Sequence, residues 1–260
     1  MTSLFEEYKV YGKDEIEQGS KEWLELRNLK FTASNADTIS ANGKGLETLV
    51  KEMLAEYYSS QEFEEYTGKF KSADMQRGND YEAMARSVYE LETGNTVKEV
   101  GFIQRSKYIG CSPDGLVDES WTGSKEEGLI EIKNHSDKVF LELMLTGKVD
   151  PKYVKQMQYQ MWVTQLNWCD YFGFNPNFSP NFYKERFYPD EALHKKFEAG
   201  VSAGIEMIEN GLDALKDKLK VLNKVVEVIE EKEEPKLSDM PVNKVKLEKS
   251  NNGTGDDFPF

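Results

Sequence analysis

The chain has 260 residues and a formal net charge of −14. That is long enough for one large domain with its own core, and too acidic for broad electrostatic capture of nucleic acid. Two cysteines, Cys111 and Cys169, and two histidines, His135 and His194, are too few and too scattered for an iron–sulfur cluster or a structural zinc site.

No apolar run is long enough to cross a bilayer, and the N-terminus carries no basic-then-apolar signal pattern. A cytoplasmic protein with buried free thiols is expected. Residues 1–19 read as a loose polar lead-in. Ser20 caps a predicted helix to about Leu29, with Trp23, Leu24 and Leu26 as buried candidates and Arg27 near its end. Ser34 is the predicted N-cap of a short helix over 35–39. A Gly-rich turn, Asn42 to Gly45, precedes a helix over 46–58, and the charged stretch Glu62 to Lys71 reads as a loop. The next helix, 73–93, stops at Gly94; on it Glu82 shares a face with Ala85 and Tyr89, as an inward acid or an ordinary solvated one.

Strands are predicted over 97–104, 108–111, 115–117 and 129–133. A helix over 138–145 is followed by one over 152–165 that begins just after Pro151, a residue suited to a first helical turn. This second helix carries Tyr153, Gln156 and Gln160 along one stripe, with Met157 and Met161 beside it. Facing inward, the stripe would hydrogen-bond DNA or a metal-bound water; otherwise it is a wet helix face. Strands at 168–174 and 182–187 and a long helix over 190–230, with possible breaks at Gly200, Gly204 or Gly211, complete the folded part. The expected class is α/β with a mixed central sheet flanked by helices. The domain is expected over 20–232, and the polar, aromatic-poor tail over 233–260 reads as disordered.

The chemistry gathers between Ile109 and Asn134. In Leu129-Ile130-Glu131-Ile132-Lys133, alternation puts Leu129, Glu131 and Lys133 on one face and both isoleucines on the other. Pro113-Asp114-Gly115 interrupts the preceding strand. If the two strands pair, Asp114 comes beside Glu131, and two carboxylates and a lysine meet. Two carboxylates suit a hard divalent cation, Mg²⁺ or Mn²⁺. Such a cation polarises a phosphodiester and acidifies a bound water, while the lysine offsets negative charge or helps to deprotonate that water. The plain alternatives are a turn at Pro-Asp-Gly and a solvated Glu-x-Lys face.

These residues resemble the PD-(D/E)XK nuclease superfamily, and the flanking blocks are similar to the phage lambda exonuclease family, the YqaJ-type viral recombinases. The blocks are Trp23 to Arg27 with Thr32-Ala33-Ser34, Gly78 to Glu82 with Ala85, Tyr89 and Glu90, Ser112-Pro113-Asp114-Gly115 with Glu131-Ile132-Lys133, and Tyr153 through Thr164 with Gln156 and Gln158. The resemblance implies a PD-(D/E)XK core and a 5′-to-3′ exonuclease acting on double-stranded DNA ends in a bacterial host cell. Its product would be a 3′ single-stranded tail for recombination by strand annealing. It implies two metal ions per site, Mg²⁺ or Mn²⁺, held by Asp114, Glu131, the main-chain carbonyl of Ile132, and Glu82. Lys133 and Gln156 would position the water, Arg27 and Ser34 would receive the 5′-phosphate, and Ser112 would touch the backbone. A trimeric ring around DNA is implied as well. After Lys133 the segment Asn134-His135-Ser136 offers no arginine, and Lys138 is the only close substitute. A metal-dependent endonuclease of the same fold and an inactive DNA-binding scaffold are the alternatives.

The chain ends Asp256-Asp257-Phe258-Pro259-Phe260. This tip resembles the acidic, Pro-Phe-ending tails of bacterial single-stranded-DNA-binding proteins. It is expected to dock an annealing protein or a host repair factor.

Overall fold

The computed structural model describes residues 8–59, 73–118 and 127–233. The elements run Lys9–Gly12 (β1), Lys21–Arg27 (α1), Ala36–Ala41 (α2), Lys44–Tyr58 (α3), Ala73–Thr93 (α4), Thr96–Lys98 (β2) and Val100–Gln104 (β3). They continue with Gly110–Cys111 (β4), Gly115–Asp118 (β5), Glu127–Asn134 (β6), Asp137–Thr146 (α5), Pro151–Thr164 (α6), Cys169–Phe174 (β7), Phe182–Phe187 (β8) and Glu191–Glu233 (α7). The chain divides into two units, Met1–Asp213 and Ala214–Phe260. Both sheets lie in the first. The charged segment Glu62 to Lys71 and the tail with its Asp256–Phe260 tip lie outside the described residues.

Val97 and Val100 are both buried, three residues apart. An unbroken strand turns such residues to opposite faces, and the run expected as one strand over 97–104 divides at Glu99. β2 joins a five-stranded sheet of order β2-β5-β6-β7-β8, and β3 joins a three-stranded sheet of order β1-β3-β4. Within the lead-in, β1 pairs antiparallel with β3, a strand that its polar composition did not announce. In the larger sheet β6 and β7 run parallel, with Glu131 opposite Tyr171, and the other pairings are antiparallel. This is the mixed central sheet flanked by helices that the element order predicts.

The alternation of β6 decides which helix covers which face. Ile130 and Ile132 pack with Ala85 and Tyr89 of α4 and with Phe172 and Phe174 of β7. Leu129 packs on the other side with Met157 and Met161 of α6 and with Cys169 and Tyr171 of β7. Both cysteines are buried and free, and burial pushes each thiol up. A further core joins α2, α3, α6 and α7 through Phe31, Ile39, Val50, Trp162, Phe197 and Val201.

Three local expectations are corrected. Trp23, Leu24 and Leu26 are half-buried, because α1 has no buried residue and walls a cavity instead. Ser34 is not an N-cap: it lies inside a 3₁₀ turn, Ala33–Asn35, and Asn35 precedes α2 without a side-chain cap. The glycines of α7 do not break it. A Cβ at Gly200 would lie 2.0 Å from the Ile39 carbonyl oxygen, at Gly204 2.3 Å from the Phe31 ring, and at Gly211 2.5 Å from Leu54. They are contact points where the helix approaches its neighbours too closely for a side chain. Among the described residues no helix is long and apolar enough to cross a membrane.

Gly200→Ala pushes a methyl against backbone that cannot rotate away. The expected loss is about 1–3 kcal/mol, the ordinary overpacking cost, read as a lower urea midpoint at unchanged slope.

Candidate active site

β5 and β6 pair with Gly115 opposite Ile130 and Leu116 opposite Leu129. That register carries Asp114, one residue before β5, to the level of Glu131. The bend is tight: a Cβ at Gly115 would lie 2.4 Å from Val97, so glycine is required there. Asp114 Oδ2 accepts the Ile132 N–H at 2.6 Å, which fixes the carboxylate beside the strand. The bend also joins the two sheets, since β4 ends at Cys111 in the smaller one and β5 begins at Gly115 in the larger.

Glu131 is fully buried. Its Oε1 accepts Gln156 Nε2 at 2.6 Å and also the Lys133 ammonium; its Oε2 accepts Gln160 Nε2 at 2.7 Å. Burial works against the Lys133 charge, but Glu131 and Asp114 outweigh it, so the lysine pKa lies above its ordinary value. Lys133 is therefore an ammonium that donates and neutralises. Its Nζ lies 5.3 Å from the Tyr153 ring centre, and Tyr153 stacks on Tyr171. The next buried group, His135, meets the Tyr171 hydroxyl at 2.5 Å. Burial, then Lys133, lowers its pKa to about 4, leaving a neutral imidazole.

Burial and then the Glu131 charge push the Asp114 carboxyl well above the usual range, with Lys133 opposing. Two like charges forced together in this way suit a cation between them, and the donors are hard oxygens. Asp114 and Glu131 fit a divalent ion in kind. Among the described residues, however, no group of three His, Cys, Asp or Glu side chains gathers to hold one. Glu82 instead meets Arg86, one turn on, at 2.6 Å, and Arg86 also pairs with Glu99 at 3.1 Å. The i,i+4 spacing of Glu82 and Arg86 was visible in the sequence. Burial raises the Glu82 pKa against the opposing Arg86 charge.

The phosphate-binding candidates form a connected group. The Arg27 guanidinium lies 4.1 Å from the Trp23 ring centre and donates to Thr32 Oγ1 at 3.2 Å and to Ser34 Oγ at 3.3 Å. The Trp23 indole N–H donates to Ser112 Oγ at 2.9 Å, two residues before Asp114. A cavity of about 540 Å³ opens along Trp23, Arg27, Thr32, Ser34 and Met53. Burial lowers the Arg27 pKa to about 10, with Cys111 and Glu56 opposing. So Asp114, Glu131, Lys133 and Gln156 come together, and Arg27, Ser34 and Ser112 join through Trp23. Lys138 is exposed. Gln160 was expected on the polar stripe of this helix, but its bond to Glu131 and the linking roles of Trp23 and Thr32 were not foreseen. For Gln160 the signal was its place one turn after Gln156.

A family model described as the YqaJ-like viral recombinase domain matches residues 22–167. The chain belongs to this family. The YqaJ-like match runs from α1 to just past α6 and so contains Arg27, Asp114, Glu131, Lys133, Gln156 and Gln160. Among solved structures, an alkaline exonuclease from Laribacter hongkongensis, LHK-Exo, is 33% identical with a TM-score of 0.65. The match covers 78% of this chain and 100% of that one. The same exonuclease in complex with dAMP matches at 32% identity and a TM-score of 0.66, with the same coverage. A phage-related exonuclease from Haemophilus somnus 129PT, 16% identical with a TM-score of 0.51 over 74% of this chain and 98% of that one, shares the fold. No curated protein matches significantly. The YqaJ-like domain thus carries the PD-(D/E)XK nuclease core and is homologous to an exonuclease.

The raised Asp114 pKa has a consequence for stability. The unfolded chain releases this proton near the ordinary carboxylate value, and the folded protein holds it to higher pH. The stability it contributes is full below the unfolded pKa and is lost as pH rises through the folded one. Asp114→Asn, which stays neutral, should therefore melt above wild type at pH 7 in EDTA. The gap should close as pH falls to the ordinary carboxylate range. Thermal unfolding by circular dichroism from pH 4 to 8 checks it; a gap independent of pH would contradict it.

Proposed function

We propose that this protein is a Mg²⁺-dependent exonuclease that degrades one strand of double-stranded DNA from its 5′ end. The product is a 3′ single-stranded tail for strand-annealing recombination. The observation that carries the reading is the meeting of Asp114, Glu131, Lys133 and Gln156 beside a pocket that begins at Arg27. Homology to LHK-Exo, itself an alkaline exonuclease, supports it.

In this reading Asp114, Glu131 and the Ile132 carbonyl would hold two Mg²⁺ or Mn²⁺ ions, with Glu82, which pairs with Arg86 here, as a further ligand. Ions bound there would supply Lewis acidity toward the scissile phosphate and lower the pKa of a bound water. Lys133, held as an ammonium, offsets negative charge on the phosphate oxygens. Gln156 donates from one side-chain amide and so orients the water. Arg27 presents a guanidinium to the 5′-phosphate, Ser34 and Thr32 keep that guanidinium in place, and Ser112 contacts the next stretch of backbone. Trp23 fixes the spacing between end and scissile bond through one ring. Local cations in a cleft, rather than the net charge of −14, meet the DNA. The nuclease domain spans 20–232, and three copies form a ring around the duplex.

Linear duplex labelled at either end, with or without a 5′-phosphate, tests the reading. Wild type with Mg²⁺ should release the 5′ label first and favour phosphorylated ends. Asp114→Asn should lower release by about 100-fold or more, because an amide is a poor ligand for a hard cation. Arg27→Ala should erase the preference for phosphate. Cleavage of closed circular DNA, near-wild-type release by Asp114→Asn, or an unchanged preference in Arg27→Ala would each overturn the corresponding part.

We also propose that the tail over 233–260 works as a tether whose tip docks a single-strand annealing protein or a host repair factor. Phe260 would fill an apolar pocket, and Asp256 and Asp257 would meet a basic rim, with Phe258 and Pro259 setting the shape. The annealing protein would then sit beside each new 3′ strand. Full-length protein should recover a partner from host lysate that a Phe260-deleted form does not; equal recovery by both would refute the docking role.

A further inference from the structure

Gln160 is fully buried, and its amide nitrogen reaches Glu131 Oε2 at 2.7 Å. Its own Oε1 is buried with no hydrogen-bond partner. The amide cannot flip to satisfy that oxygen, because an oxygen turned to the carboxylate would face like charge. The contact with Glu131 is thus kept although it leaves a buried acceptor unpaired, an arrangement that disfavours the fold. A residue selected only for packing at this place on α6 would be apolar, as its neighbours Met157 and Met161 are.

The two oxygens of Glu131 are served unequally. Oε1 receives two donors, the Lys133 ammonium and Gln156. Oε2 receives one, Gln160. A carboxylate oxygen has about two lone-pair sites, so both are taken on Oε1 and one remains on Oε2. The terminal torsion of a glutamate is broad, and without a donor on Oε2 nothing would stop the carboxylate rotating about the Oε1 contacts.

We infer that Gln160 is a positioning residue: its hold on Oε2 fixes the rotation of the Glu131 carboxylate, and with it the face that this ligand turns to a hard divalent cation. Lys133 and Gln156 hold the other oxygen. The inference rests on the metal-dependent reading above. It separates two amides that lie one turn apart on the same helix: Gln156, half-buried, faces the site, whereas Gln160, fully buried, works only through Glu131.

The test is Mn²⁺ binding to DNA-free protein, followed by electron paramagnetic resonance of the free ion, in wild type and Gln160→Met. Met keeps the length and shape of the side chain but has no N–H. Loss of an outer partner of a metal ligand typically weakens binding about 10–100-fold, and that loss is expected here with cooperative unfolding retained. Gln160→Asn keeps an amide one methylene too short to reach Oε2 and should also weaken binding; it is measured in place of Gln160→Met if that variant does not fold. Wild-type Mn²⁺ affinity in a folded variant overturns the inference and leaves the metal-dependent reading standing. Failure of wild type itself to bind Mn²⁺ overturns both.

Discussion

Glu131 is a carboxylate with no exposure to water, on a central strand, under a helix. Taking such a group out of water costs several kcal/mol unless donors replace the solvent. Lys133, Gln156 and Gln160 replace it, and their positions constrain much of the fold. Lys133 must lie two residues along the same strand, so the alternation of β6 is fixed and Ile130 and Ile132 are committed to the α4 face. The glutamines must lie one turn apart, so the angular setting of α6 over the sheet is fixed too. Met157 and Met161, each one residue after a glutamine, then fill the remaining apolar space.

The second constraint is the bend from Ser112 to Gly115. It carries the chain from one sheet to the other, and it puts Asp114 against the backbone of β6. Ser112, in the same bend, ties back to Trp23, and Trp23 supports Arg27. The Arg27 cavity and the acid pair are therefore linked through few rigid groups. A shift of the bend moves both. Under the function proposed above, such a rigid link would set the spacing between strand end and scissile bond without a moving part.

The acidity of the chain is less of an obstacle than its total suggests. Glu131 and Glu82 are each paired with a cation, Lys133 and Arg86, so neither stands as an unbalanced negative charge at the site. Arg27 and Lys30 line a cavity together with Glu52 and Glu56. Field at a cleft depends on which charges line it and on its low-dielectric walls, not on a sum over the surface.

Much of this was legible in the residues. The period of two in β6 decides which side chains share a face, because it follows from strand geometry alone. Pro-Asp-Gly marks a bend for equally local reasons, and Ser20, Gly94 and Pro151 mark helix ends by their backbone chemistry. The mixed sheet, the facing of Asp114 and Glu131, and the buried thiols follow from such signals. The rest depended on distant partners. The split at Glu99 arises because β2 and β3 find different sheets, and the strand at Lys9–Gly12 exists because β3 has an open edge to pair with. The α7 glycines read as breaks in the sequence, yet in the fold they are contacts with Ile39, Phe31 and Leu54. Ser34 had the composition of a cap, but Arg27 and Thr32 claim its hydroxyl. The sequence by itself determined the faces and the bends, since these are set by neighbours along the chain. Only the tertiary structure decided which buried group each polar side chain would serve, since that is settled by packing between segments far apart in sequence.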